Sequence, residues 1–193
     1  MSRLTAAVAS LALSAVAMPA FAHPGHDLPG AGFLAGLAHP LTGADHLLAM
    51  IAVGVWAAQL GGRARWAVPL SFVAVMAVGA ACAMNGWAPP YIEAGIAASL
   101  LVLGLLVAMA GRLPLPVATA LTGAFAFYHG AAHGSELPAL ADPLYFTAGF
   151  ALATALLHGA GLGIGYAARR NSQWFDRAAG IVTMAGGFAY AFA

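Results

Sequence analysis

Two short strings hold most of this chain's chemistry. The first, His39-Pro40-Leu-Thr-Gly43-Ala-Asp45-His46, opens a long apolar run. On a continuous helix His39 and His46 would lie two turns apart on nearly one face. Pro40 suits the first position of that helix, with His39 just outside it. Thr42 followed by Asp45 resembles a second start of the capping type, with Asp45 as a cap residue. The second string, Tyr128-His129-Gly-Ala-Ala-His133-Gly-Ser-Glu136, sets two imidazoles at i and i+4 and a carboxylate three residues further on. On a helix all three fall on one face. Imidazole and carboxylate without thiolate suit nickel, cobalt, zinc or copper(II) better than copper(I).

Other donors stand apart from these strings. Glu93 lies at the start of the third apolar run, and His158 near the middle of the fifth. An ionisable group at mid-membrane depth is expensive unless it meets a partner or a water-filled cavity, so His158 is a functional candidate. His23 and His26 flank Pro24-Gly25 and precede Asp27, a set that would gather a metal beside a free amine if the chain were cut before His23. Pro24 has no backbone N–H to deprotonate, which disfavours a square-planar site of amide nitrogens there.

The composition says where these groups reside. Of the 193 residues, 62% are hydrophobic and 7% charged, and the mean hydropathy is +0.87. A soluble domain carries about 25% charged residues, so this chain is built for lipid. Seven basic against six acidic residues give a net charge of +1, too sparse a balance for nucleic acid. All the basic residues are arginine, which removes a P-loop lysine and a lysine Schiff base. The single cysteine, Cys82, excludes an internal disulfide and a thiolate cluster, and reads as a small buried hydrophobe.

The expected fold is all-α, a six-helix transmembrane bundle behind a cleavable leader. Met1-Ser-Arg3, the apolar run to Ala17 and the Ala20-Phe21-Ala22 exit form a signal peptide, 1–22, with residues 23–193 as the mature domain. Spans are expected near Leu41–Leu60, Trp66–Met84, Tyr91–Ala110, Leu115–His133, Leu144–Ala168 and Phe175–Phe192. Arg63, Arg65, Arg112, Arg169 and Arg170 occupy alternate loops, whereas the loops holding Glu136 and Asp142 have no basic residue. The positive-inside rule makes the arginine loops cytoplasmic and both mature termini periplasmic. His39, Asp45, His46, Glu93, His129, His133 and Glu136 would then meet at the outer leaflet. Gly159 to Gly165 and Gly180 to Gly187 let helices approach closely, and Trp56, Trp66, Trp87, Trp174 and Tyr91 read as interfacial anchors.

The two strings and the whole-chain pattern resemble the HupE/UreJ family of nickel and cobalt permeases. The resemblance implies uptake of nickel, or cobalt, across the bacterial inner membrane for hydrogenase or urease maturation. It implies His39, Asp45 and His46 as metal-handling residues of the first span, and His129, His133 and Glu136 as those of the fourth. Tyr128 stands where another aromatic is expected. No tightly bound cofactor is implied, since the metal is cargo; the partners are the ion and the bilayer, with no nucleic acid, and a homo-oligomer stays open. A doubly charged ion gains about 4.6 kcal/mol per 100 mV, so the membrane potential alone can drive uptake. Imidazoles must be neutral to bind, so uptake is expected to weaken as pH falls through about 6.5. Uptake constant from pH 7.5 to 5.5 at fixed potential and free metal would contradict imidazole capture. The rivals are an intramembrane metal-dependent hydrolase, with Asp45 or Glu136 as general base, and a non-transporting metal-binding accessory protein.

Overall fold

The computed structural model describes residues 31–136, 142–171 and 173–192. The expected leader, 1–22, and the donors His23 and His26 lie outside the described residues. Those described form seven α-helices and no strand: α1 Ala31–Thr42, α2 Ala44–Leu60, α3 Ala64–Met84, α4 Ile92–Ala108, α5 Leu115–Ser135, α6 Pro143–Asn171 and α7 Gln173–Ala191. Two of them, α3 and the Pro143–Ala168 part of α6, are long and apolar enough to cross a membrane. The pair α1 and α2 passes the same test together, bent by 83° at its break. Helix α5 has 21 residues, enough length to cross, but its histidines, threonines and glycines dilute its apolar character.

Helix α1 was not expected. The apolar stretch before Pro40 is too short to span alone, and Pro40 invites the reading of a helix start. Instead Pro40 lies inside α1, in its last turn, where its missing N–H removes one ladder bond, to the Gly36 carbonyl, just before the helix ends. Thr42 Oγ1 donates to the His39 carbonyl at 2.8 Å, and the chain breaks at Gly43. That residue is extended (φ −97°, ψ 112°) and precedes α2 without any side-chain cap. His39 and His46 therefore sit on two helices at a sharp bend, and the Thr42–Asp45 capping pair does not form.

Four packed pairs organise the bundle: α5 along α3, α7 along α4, and α6 along both α1 and α2. Helix α2 also meets α3, α4 and α7, and its side chains Met50, Val53 and Trp56 are fully buried. Phe72 and Met76 of α3 and Leu103 of α4 complete the core. Outward faces carry Leu70, Val78, Leu105, Val117, Leu152 and Ile164 to the surface, the distribution of a bundle whose solvent is lipid.

Small residues set the helix spacing. A Cβ at Gly130 would meet the Met76 carbonyl, and one at Gly134 the Ala80 carbonyl, so α5 lies backbone to backbone on α3. Gly161 does the same against Ile51 and Gly54 of α2, while Gly159 and Gly163 meet nothing and point away. The expected glycine face is thus one face of α6, not the whole run. Two other expectations are corrected. Trp56 is no interfacial anchor: it is fully buried, its indole N–H donating to the Gly111 carbonyl at 2.8 Å. Cys82 is only half-buried. Trp66, Trp87, Trp174 and Tyr91 are exposed as anchors would be.

Candidate metal-handling site

The break at Gly43 turns two helix ends toward one point. The carbonyl end of α1 presents His39, and the N–H end of α2 presents Asp45 in its first turn. A carboxylate is favoured at a helix N-terminus and a cation at a C-terminus, so the bend suits both. Gly43 also makes room: a Cβ there would come within 2.9 Å of Asp45 Oδ1 and 3.3 Å of His46 Nδ1. Helix α5 arrives from the far side with His129 and His133. The glycine after each histidine packs on α3, which rotates the histidines themselves toward α2.

At the mouth, His39 Nε2 is 3.1 Å from Glu136 Oε2, and His133 Nδ1 is 3.9 Å from the same oxygen. Ligand atoms of His39, His133 and Glu136 all lie within 4.8 Å of one another. The His39 hydrogen bond holds the Glu136 carboxyl below its usual range against the opposing effect of burial, so the group is ionised near neutral pH. The rings continue inward. His39 and His133 centroids are 4.7 Å apart, His133 and His46 4.1 Å, and His46 and His129 4.6 Å. Phe146 and Phe150 of α6 wall the mouth, Phe150 lying 4.0 Å from His133 between ring centroids.

Hydrogen bonds choose the tautomers. His46 Nδ1 is 3.0 Å from Asp45 Oδ2; an ionised carboxylate only accepts, so Nδ1 carries the hydrogen and Nε2 exposes its lone pair. Ser99 of α4 donates to the Ile96 carbonyl at 2.7 Å. Its oxygen then accepts from His129 Nε2 at 2.8 Å, which leaves His129 Nδ1 bare. His46 Nε2, His129 Nδ1 and both nitrogens of His133 find no hydrogen-bond partner among the described residues. Buried polar atoms without a partner cost about 1–3 kcal/mol each and are rare in native structures. These partnerless nitrogens, on three rings whose successive centroids lie 4.1 Å (His133 and His46) and 4.6 Å (His46 and His129) apart, suit an electron-pair acceptor.

The expected residues divide accordingly. His39, Asp45, His46, His129, His133 and Glu136 meet at one end of the bundle. Glu93 does not join them; its Oε2 accepts from Tyr190 Oη at 2.6 Å. His158 is buried deeper, its ring against Phe72 at 5.2 Å between centroids. Ser99 was missed, because nothing in its apolar run Ala97-Ala-Ser-Leu100 marks it. Tyr128 packs its ring over Gly95 of α4, a packing role that leaves the donors untouched.

These features define a helical, membrane-type protein with a cluster of histidines and carboxylates gathered at a broken helix. The chain belongs to the HupE/UreJ family: the family described as "HupE / UreJ protein" matches residues 11–190. It is 46% identical over 181 residues to Protein HupE of Rhizobium leguminosarum bv. viciae, covering 94% of this chain and 92% of that protein. No solved structure matches it.

Asp45→Asn tests the tautomer argument. An amide keeps the shape but can present a donor to Nδ1, so His46 loses the partner that directs its lone pair inward. Metal affinity is expected to fall about 10–100-fold, read by titrating nickel into the purified protein; affinity within twofold of wild type would refute the assignment.

Proposed function

We propose that this chain is a permease that carries nickel, or cobalt, inward across the bacterial inner membrane, supplying hydrogenase or urease maturation. The reading has six spans after a leader at 1–22, arginine loops in the cytoplasm and periplasmic mature termini. The observation that carries it is the graded line of donors from Glu136, 60% exposed, and His39, 28%, to the fully buried His129. A cation arriving at Glu136 and His39 would exchange water for imidazole stepwise, with His133 shared by the outer and inner groups. His39, Asp45, His46, His129, His133 and Glu136 are the proposed metal-handling residues, with Asp45 acting chiefly through His46. Glu93, its Oε2 held by Tyr190, is a further proposed metal-handling carboxylate beside this group.

Family membership and the thiolate-free donor set support transport over catalysis. Cells lacking other nickel importers supply the test. The intact chain should restore nickel accumulation and His46→Ala should not, while zinc content stays unchanged in both. Nickel accumulation at the wild-type level in His46→Ala would refute the site, and none with the intact chain would refute the function.

A further inference from the structure

The line of imidazoles does not end at His129. Fifteen residues from the start of α6, about 22 Å of helix rise, stands His158, whereas His129 is only about 9 Å from the outer end of α5. One aromatic side chain is in ring contact with both. The Phe72 ring of α3 is 5.7 Å from the His129 centroid and 5.2 Å from that of His158, nearly perpendicular to the latter. Phe72 is fully buried and His158 is 1% exposed. Both nitrogens of His158 lack a hydrogen-bond partner among the described residues. The backbone there is locked, because Gly54 of α2 packs directly on the His158 carbonyl. An imidazole held this firmly at mid-depth with both nitrogens bare is built to receive something.

We propose that Phe72 is a closed apolar gate in the cation path and that His158 is the first acceptor behind it. This rests on the transport reading above. The outer donors collect and dehydrate a divalent cation with affinity for imidazole. The benzene ring offers it no lone pair, so passage waits on a swing of Phe72, after which His158 takes the ion from His129. Further along α2, Trp56 and Gln59 bond the Gly111 and Val107 carbonyls and tie α2 to the end of α4 and the turn after it.

The experiment uses the full mature chain in liposomes with an internal metal-sensitive dye and an inside-negative potential, with nickel chloride and manganese chloride as probes. Nickel affinity of each variant, measured by equilibrium dialysis, reports whether the outer cluster is intact. His158→Phe, which keeps ring volume without nitrogen, should slow nickel uptake at least about tenfold, with outer affinity changed less than about threefold. Phe72→Ala should raise manganese influx at least about fivefold, because manganese binds imidazole weakly and is held back chiefly by the gate. Phe72→Leu should move the same way if the alanine variant is poorly folded. Nickel uptake by His158→Phe within twofold of wild type, or manganese influx unchanged in both Phe72 variants, overturns the proposal alone. No nickel uptake by the wild-type protein overturns it together with the transport reading.

Discussion

Replacing His133 by alanine is expected to lower nickel accumulation about a hundredfold or more while the protein still reaches the membrane. Among the described residues, His133 alone is in ring contact with both His39 and His46, and its Nδ1 lies 3.9 Å from Glu136 Oε2. Losing an orienting partner of a ligand already costs about 10–100-fold; losing a ligand shared by two groups should cost more. Alanine is well tolerated in the last turn of α5, where His133 stands, so the helix itself should persist. The comparison is metal content per cell against membrane-inserted protein, for wild type, His133→Ala and Glu136→Gln. Glu136→Gln, at the exposed mouth, should lose less than His133→Ala because only the outer group depends on it. Equal losses in the two would mean that the outer and inner groups are one site; undiminished uptake in His133→Ala would sink the site.

The second large effect concerns folding. Gly130→Ala adds one carbon atom where the Met76 carbonyl already lies, and neither backbone can yield without parting α3 from α5. The expected cost is about 3 kcal/mol, the upper part of the overpacking range, because the obstacle is backbone and not a flexible side chain. The readout is the thermal midpoint of the purified protein and its yield in membranes, with Gly159→Ala as the control. Gly159 meets nothing within 4 Å, so its alanine variant should be stable. A Gly130→Ala protein with wild-type yield and midpoint would mean the α3–α5 contact is looser than described.

Much of this protein is written in its residue types. Long apolar runs and the sparse charge pointed to lipid and to helices. The spacing of His129, His133 and Glu136 placed three donors on one face, because a helix of 3.6 residues per turn leaves no other arrangement. Five helix positions were near those expected for the same reason: apolar length in a bilayer is a local property.

Other features depend on contacts between distant segments. Pro40 looked like a beginning and lies in the last turn of a helix, because proline is compatible with either place and only the packing of α1 on α6 selects one. The bend at Gly43 followed, and with it the meeting of His39 with Glu136, 97 positions later. Trp56 became a buried tie instead of a surface anchor when the Gly111 carbonyl came within reach of its N–H. Residue identities thus determined the medium, the helices and the inventory of donors. Tertiary packing decided which nitrogens are left bare and which side chain is in ring contact with both His129 and His158, since hydrogen-bond satisfaction and ring contact are properties of neighbours that sequence distance does not record.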